Sequence, residues 1–180
     1  MVEAQAAADD IGATVERAVS GDAAALARIV ARYHDDMARV CMVVCGDADI
    51  AEDAVQAAWP IAWQRLRTLR QSDRLRPWLI SIAVNQARQI RRRERRRQVL
   101  EIASATSPRD RSGSGDRIEL ADLSLALRRL PPDDRALLAL RFVAGFDSHE
   151  IAQSLGISAS GVRSRLERLL ARLRTELSDD

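Results

Sequence analysis

Six polar residues near the C-terminus have the types and the spacing needed to contact nucleic acid. They recur at helical intervals over residues 158–168 and are Ser158, Ser160, Arg163, Ser164, Arg165 and Arg168. Serine hydroxyls and arginine guanidinium groups form hydrogen bonds with phosphate oxygens and with the edges of bases in a major groove. The pattern therefore predicts recognition of a DNA duplex.

The surrounding sequence predicts a helix-turn-helix that would position these residues. Asp147 and Glu150 form a capping box, and Gly156 suits the left-handed conformation that ends a helix. Ile157 is expected to fill the turn, and Ser158 to cap the second helix. Inward positions of that helix form an apolar stripe of Val162, Leu166, Leu169 and Leu173. A solvated helical hairpin is the alternative, but the coincidence of caps, glycine and arginines favours DNA binding.

A second basic segment, residues 88–97, contains seven arginines and one glutamate. Such a run attracts phosphates, although alone it is a weak signal. Trp78 and Asn85 precede it on the same predicted helix, behind an arginine-rich loop at 68–76. Together these side chains could hold unstacked bases. Core packing is the rival interpretation for Trp59, Trp63 and Trp78, and it is favoured for at least one of them.

Metal binding and catalysis find little support. Cys41 and Cys45 lie four residues apart and could bind a metal with His34. The favoured interpretation is that both cysteines are small buried apolar residues, because no cluster of four ligands occurs. The chain has only two histidines, and it lacks a nucleophile or phosphate-loop pattern. We expect no catalytic residue, no metal and no cofactor.

The fold class predicted is all-α, with two small helical domains joined by a flexible linker. Residues 1–21 are a weakly patterned extension, expected to be frayed or partly helical. The first domain spans 22–103, with two helices up to Gly46, then a helix from the Asp49/Glu52 capping box, kinked at Pro60. Residues 104–116 form the linker, rich in Ser, Gly and charge. The second domain, 117–180, begins with a stripe of Leu120, Leu123, Leu127 and Leu130.

Charge is distributed unevenly along the chain. Residues 1–60 carry 11 acidic and 4 basic side chains, whereas residues 61–180 carry 15 and 24. The basic part could meet a polyanion and the acidic part another partner. Neither a stretch of 18 apolar residues nor a signal peptide is present, so we expect a cytoplasmic protein without membrane insertion.

The chain resembles the extracytoplasmic-function sigma factors of bacterial RNA polymerase. The first domain matches the family's second region through residues 51–56 with Trp59, and through 78–85 with the arginine-rich tail. The second domain matches its fourth region through Leu130-Pro131, 150–152, 155–158 and 162–166. The resemblance spans about residues 22–176, and the two blocks in this order make it specific.

The resemblance implies roles that the residue pattern alone does not. The helix with Glu52, Asp53, Gln56 and Trp59 would dock on the β′ clamp helices of core polymerase, and the β flap is a further expected contact. The minus-10 element would be held by the loop and the following helix, through Arg70, Arg74, Arg76, Trp78, Asn85, Arg88, Arg91 and Arg92. The helix from Ser158 would recognise the minus-35 element as duplex. RNA synthesis itself would belong to the polymerase. An anti-sigma factor is a common partner in the family, and nothing in the sequence identifies one.

Several residues depart from the family pattern. Ala57 and Ala58 follow Gln56 where an acid is frequent, Pro60 is unusual, Ser148-His149 replaces an aromatic-acid pair, and Gly161 stands where Thr is usual. These departures bear on promoter sequence and polymerase affinity. The alternative function is a conventional helix-turn-helix regulator with an N-terminal sensing or dimerisation domain; the Asp53/Gln56 helix and the arginine-rich loop argue against it.

Overall fold

The computed structural model describes residues 2–104 and 126–178, with the side chains of 10–97 and 126–176. Within those ranges the chain is helical and contains no strand, which confirms the predicted all-α class. The predicted linker beyond Ser104 lies outside the described residues, as do Leu120 and Leu123. The helices are α1 (Val2–Val19), α2 (Ala23–Cys45), α3 (Ala48–Arg65), α4 (Leu75–Ser104), α5 (Pro132–Leu138), α6 (Ser148–Leu155) and α7 (Ala159–Ser178), with 3-10 turns at Leu66–Thr68 and Ser72–Arg74 and a π-helical turn at Ala139–Val143.

Helix α1 occupies the segment predicted to be a frayed or partly helical extension. It packs on α2 and on the 3-10 turn Ser72–Arg74. Thr14, Val15 and Ala18 are buried on its inner side. A Cβ atom at Gly12 would lie 3.3 Å from Ser72 Oγ, so the absence of a side chain lets the helix approach the turn closely. The extension is therefore part of the packed structure.

Helix α2 is a single helix where the sequence predicted two. Asp22 caps its first turn by accepting hydrogen bonds from the backbone N–H groups of Ala24 and Ala25. The polar residues 34–36 interrupt the apolar pattern, but Tyr33 and Met37 on either side are both buried on one face. A spacing of four residues keeps the two side chains aligned, so the helix continues through the polar segment. Gly46 ends it in the left-handed conformation, as predicted.

Helix α3 begins two residues earlier than predicted. Asp47, and not Asp49, is the N-cap: its backbone is extended, and its side chain accepts a hydrogen bond of 3.0 Å from Ile50 N. Asp49 lies in the first turn, where its negative charge interacts favourably with the positive end of the helix dipole. Pro60 lies inside the helix at an exposed position and leaves the carbonyl of Gln56 without its helical donor.

The C-terminal helices pack directly against the N-terminal ones. Helix α5 and the π-helical turn contact α2, and α6 contacts α4. Leu130, Leu137, Leu140 and Ile151 are fully buried within this arrangement. Pro132 occupies the first turn of α5, as the Pro131-Pro132 pair predicts. The sequence predicted two units joined by a linker, but gave no sign that the units touch.

Candidate nucleic-acid interface and polymerase-binding surface

Helix α7 presents a polar outer face opposite a buried stripe. Val162, Leu166, Leu169 and Leu173 are all buried, which confirms the predicted inward side. On the outer side Ser160, Arg163, Ser164 and Arg168 are exposed. Because the polar face lies opposite the buried stripe, its arginines can contact a phosphate or a base without disturbing the core.

Several of the six predicted residues have internal partners. Ser158 Oγ accepts a hydrogen bond of 3.0 Å from Gly161 N, so this serine caps the helix. Arg165 Nε donates to Asp134 Oδ1 at 2.7 Å, which ties the arginine to α5. Among the described residues, Arg168 forms no ion pair and donates only to Ser164 O of its own helix, at 3.2 Å. The guanidinium groups most available on this face are therefore those of Arg163 and Arg168.

The turn before α7 has the predicted helix caps, but Ile157 does not fill it as predicted. The Asp147/Glu150 capping box is complete, and Gly156 ends α6 with a φ of 69°. The N–H groups of Gly156 and Ile157 both donate to Ala152 O, at 2.9 and 3.1 Å. These backbone bonds close the turn, so no side chain is needed to fill it. Ile157 points outward and is 37% exposed, contrary to the prediction that it fills the turn.

Gly161 fits the cap that Ser158 provides. A Cβ atom at this position would lie 3.0 Å from Ser158 Oγ, closer than nearly all real Cβ contacts. A larger residue would push the capping hydroxyl aside. Glycine at position 161, where the family usually has Thr, is therefore compatible with the capping hydroxyl of Ser158.

The arginines of α4 contact the C-terminal helices. Arg88 Nε donates to Asp133 Oδ1 at 2.8 Å, and Arg92 donates to the other oxygen of the same carboxylate. Asn85 Nδ2 donates to Ser154 O of α6 at 3.2 Å. Three of the residues predicted to hold the minus-10 element are thus engaged across the seam between the two halves. No pattern in the sequence singles out Asp133 as a partner of these arginines.

The loop before α4 makes the same kind of contact. Arg74 Nη1 lies 2.9 Å from Glu150 Oε1, the residue that also completes the capping box of α6. Arg76 donates to Asp36 Oδ2 at 2.7 Å and to Ala144 O at 3.1 Å. Arg70 is exposed. The loop predicted to capture a base is therefore in contact with the C-terminal half at two arginines.

Other predicted minus-10 residues remain on the N-terminal half. Trp78 is partly buried against the core. Arg91 pairs with Glu94 on its own helix at 2.9 Å.

Asp133 is held in its charged form by the contacts that it makes. Its partial burial alone would raise the pKa of the carboxyl, but hydrogen bonds from Arg92 and Arg88 outweigh burial and keep the pKa below the ordinary value. A charged carboxylate between two guanidinium groups makes a strong electrostatic contact. The contact between the two halves at Asp133 is therefore strongest at pH values above the range in which carboxyls titrate.

Helix α3 presents a small polar face that extends over the exposed residues Asp53 and Gln56. Glu52 accepts a hydrogen bond from Gln56 at 3.1 Å and lies 3.2 Å from His34 Nε2. Trp59, predicted on the same surface, is only 8% exposed. Its ring stacks on Trp63 with centroids 5.1 Å apart. Trp59 therefore supports this face from the core.

The two cysteines are buried and free, in line with the favoured interpretation. Burial raises the pKa of Cys45 to about 11, and burial also raises that of Cys41 far above the usual range. Among the described residues, no group of three or more His, Cys, Asp or Glu is placed to hold a metal ion. None of the helices in the described ranges is long and apolar enough to cross a membrane.

Sequence comparisons place both halves in one superfamily. Residues 29–97 match the family model for sigma-70 region 2, and residues 120–173 match that for sigma-70 region 4. The ECF RNA polymerase sigma factor SigL of Mycobacterium tuberculosis is 32% identical over 89% of this chain and 96% of its own length. The probable RNA polymerase sigma factor RfaY of Xanthomonas campestris is 34% identical over 89% of this chain, but the chain spans only 42% of that protein.

Two solved structures have the same arrangement of helices. CnrH, solved in complex with the cytosolic domain of CnrY, aligns with a TM-score of 0.67 at 26% identity, covering 93% of this chain and 96% of CnrH. The sigma factor RpoE from Bartonella quintana, solved with the anti-sigma factor NepR, aligns with a TM-score of 0.61 at 26% identity, covering 80% and 91%.

Two sigma-type DNA-binding regions in the expected order define a transcription initiation protein. The chain belongs to the extracytoplasmic-function RNA polymerase sigma factors, which recognise promoters as partners of RNA polymerase. The alternative of a conventional regulator is not favoured, because the chain matches sigma-70 region 2 as well as region 4.

Proposed function

We propose that the chain divides promoter recognition among three surfaces. The exposed face of α3, with Glu52, Asp53 and Gln56, binds the β′ clamp helices of core polymerase. The loop at 68–76 and α4 hold the minus-10 element, and the outer face of α7 reads the minus-35 element. Polymerase catalyses RNA synthesis, and this chain supplies no catalytic group.

The outer face of α7 carries the proposal. Arg163 and Arg168 are exposed on a helix whose opposite side is buried, and Arg165 pairs with Asp134 on the flank. A recognition helix enters the major groove with such residues near its start. Arg163 and Arg168, which form no ion pair with a described residue, can therefore reach base edges or phosphates as soon as DNA is present.

Recognition of the minus-10 element requires the two halves to separate. Arg74, Arg76, Asn85, Arg88 and Arg92 all contact C-terminal residues in this arrangement. A flipped base also needs a pocket whose contacts offset the few kcal/mol of stacking that flipping costs. We therefore propose that the arrangement described here is a closed form, and that polymerase and promoter bind an open one.

Two further protein partners fit the described surface. Phe142 and Val143 are 63% and 41% exposed on the π-helical turn, and exposed apolar side chains of this size mark protein contacts. We propose them as the contact for the β flap. RpoE was solved with an anti-sigma factor, and this relative supports an anti-sigma factor as a partner that holds the closed form.

Run-off transcription tests the proposal directly. The full chain would be added to bacterial core polymerase with promoter fragments from its own genome. We expect transcripts with defined start sites that require both the chain and the core enzyme.

The matched control is the same reaction with the double variant Arg163→Ala and Arg168→Ala. This variant should lose transcripts that depend on an upstream element while retaining binding to core polymerase. A chain that neither binds core polymerase nor directs any transcript would contradict the proposal.

A further inference from the structure

A cavity lies on the seam between α4 and the C-terminal half. Its volume is about 220 Å³, which is below the roughly 300–1,000 Å³ of pockets that enclose drug-sized ligands. Its lining combines residues from both halves: Arg91, Glu94 and Arg95 from α4, and Arg128, Leu130, Pro132 and Arg135 from the other side. Four arginines and a single glutamate give the cavity a strong positive charge.

Arg135 is the buried residue of this group. It is 3% exposed, and Nη1 donates to Cys45 O at 3.3 Å, at the C-terminal end of α2. Its Nε has no hydrogen-bond partner among the described residues. A buried guanidinium N–H without an acceptor is costly, and such donors are rare in folded proteins.

Two of the other three arginines lack a compensating carboxylate in the described part of the chain. Glu94 is engaged by Arg91 at 2.9 Å. Within residues 10–97 and 126–176, neither Arg95 nor Arg128 forms an ion pair. The carbonyl groups at the C-terminal end of α2 partly stabilise the positive charge of Arg135. They leave its Nε without an acceptor, and they do not stabilise the charges of the two unpaired arginines, Arg95 and Arg128.

We propose that this cavity binds a phosphate-bearing anion of the size of a diphosphate. Guanidinium groups match phosphate oxygens with paired hydrogen bonds, and Arg95, Arg128 and Arg135 line one space. The diphosphate belongs either to free pyrophosphate or to a nucleotide whose base and sugar extend outside the cavity.

The same anion would favour the closed form. Its ligands come from α4 and from the C-terminal half, so the site exists only while the two halves are in contact. A ligand that binds one state shifts the equilibrium towards it by mass action. This effect on promoter access rests on the proposed sigma-factor function, whereas binding of the anion does not.

Thermal unfolding and calorimetric titration of the full chain test the site. Sodium pyrophosphate at about one hundred times its Kd should raise the Tm by about 5 °C over sodium chloride at equal ionic strength. The double variant Arg95→Gln and Arg128→Gln should bind pyrophosphate at least about tenfold more weakly. The control double variant, Arg93→Gln and Arg129→Gln, removes the same charge from exposed neighbours and should bind as the wild type does.

Parallel titrations with pyrophosphate and a nucleoside diphosphate separate the two sources. Equal affinities would identify the diphosphate group alone as the ligand, and tighter binding of the nucleotide would add contacts outside the cavity. An equal Tm rise with sodium chloride, or equal weakening by the control variant, would overturn the site. These titrations contain neither DNA nor polymerase. A chain that fails to bind pyrophosphate can therefore still direct run-off transcription, and a chain that fails in run-off transcription can still bind pyrophosphate.

Discussion

Two arginines of α7 that differ by two positions have different surroundings. Arg163 is exposed without a partner among the described residues, whereas Arg165 donates to Asp134 at 2.7 Å. The free guanidinium loses little on binding DNA, while the paired one must exchange an existing contact. Arg163 and Arg168 are therefore expected to contribute most to minus-35 affinity.

Replacing Arg163 or Arg168 by Ala should weaken binding of a minus-35 duplex by about tenfold each, as loss of a charge-assisted hydrogen bond implies. If the contact is to phosphate, the slope of log affinity against log salt should fall by about 0.9. Fluorescence anisotropy over a range of salt concentrations measures both quantities. Arg28→Ala, an exposed arginine on α2, is the control; an equal loss there would contradict the assignment.

Asp53 should govern binding to polymerase and not to duplex DNA. Asp53→Arg reverses an exposed charge on α3, and affinity for core polymerase should fall by about tenfold because like charges then meet across the interface. Titration of labelled core enzyme gives the affinity, and Asp35→Arg is a matched reversal on α2. Parallel loss of minus-35 duplex binding would refute the division of labour.

The sequence predicts a residue's surroundings well only when they are local. The stripe on α7 and the capping box of α6 follow from spacings of three and four residues, and both were predicted correctly. The partner of Arg165 lies 31 positions away, and that of Arg88 lies 45 positions away. No periodicity relates such residues, so their pairing could not be predicted.

Among the elements, α4 and α5 are joined through a single carboxylate. Asp133→Asn removes the charge that Arg88 and Arg92 share, and it should weaken the seam by about 1 kcal/mol because part of the site is exposed. Binding of a single-stranded minus-10 oligonucleotide should then tighten by about fivefold. The pKa of Asp133 is lowered in the closed form, so the seam is favoured above the carboxyl range and weakens as the pH falls through the lowered pKa.

Anisotropy with that oligonucleotide measures the change, and Asp73→Asn is the control, an exposed acid on the loop. Unchanged or weaker binding by Asp133→Asn would show that the seam does not restrict the minus-10 surface.

The boundaries of α2 and α3 also differ from those that local rules predict. Asp49 and Glu52 satisfy the pattern of a capping box, yet Asp47 caps α3, and Glu52 contacts Gln56 and His34. Helix α2 runs unbroken through polar residues because Tyr33 and Met37 are buried together. In each case several signals were compatible with the sequence. Burial of Tyr33 and Met37 accounts for the unbroken α2, whereas the cap of α3 is itself a contact between residues three positions apart.

At the scale of the whole molecule, the closed form predicts compact dimensions. A compact chain of 180 residues has a radius of gyration of about 16 Å. The double variant Asp133→Asn and Glu150→Gln removes two ionic contacts of the seam, while Gln still completes the cap of α6. Small-angle scattering should show a radius at least about 2 Å larger than that of the wild type. Identical scattering curves would contradict the expectation that these two ionic contacts hold the closed form.

Cys45 lies at the end of α2 that Arg135 of α5 contacts, so its thiol can report on separation of the two halves. Arg135 of α5 donates a hydrogen bond to Cys45 O, so we expect departure of the C-terminal half to increase the exposure of the Cys45 thiol, which is buried in the closed form and has a pKa raised by burial to about 11. A thiol reagent should therefore modify the native chain only as often as the halves part. At saturating reagent the labelling rate becomes the opening rate itself, measured in a single mixing experiment without a fluorophore or an added cysteine.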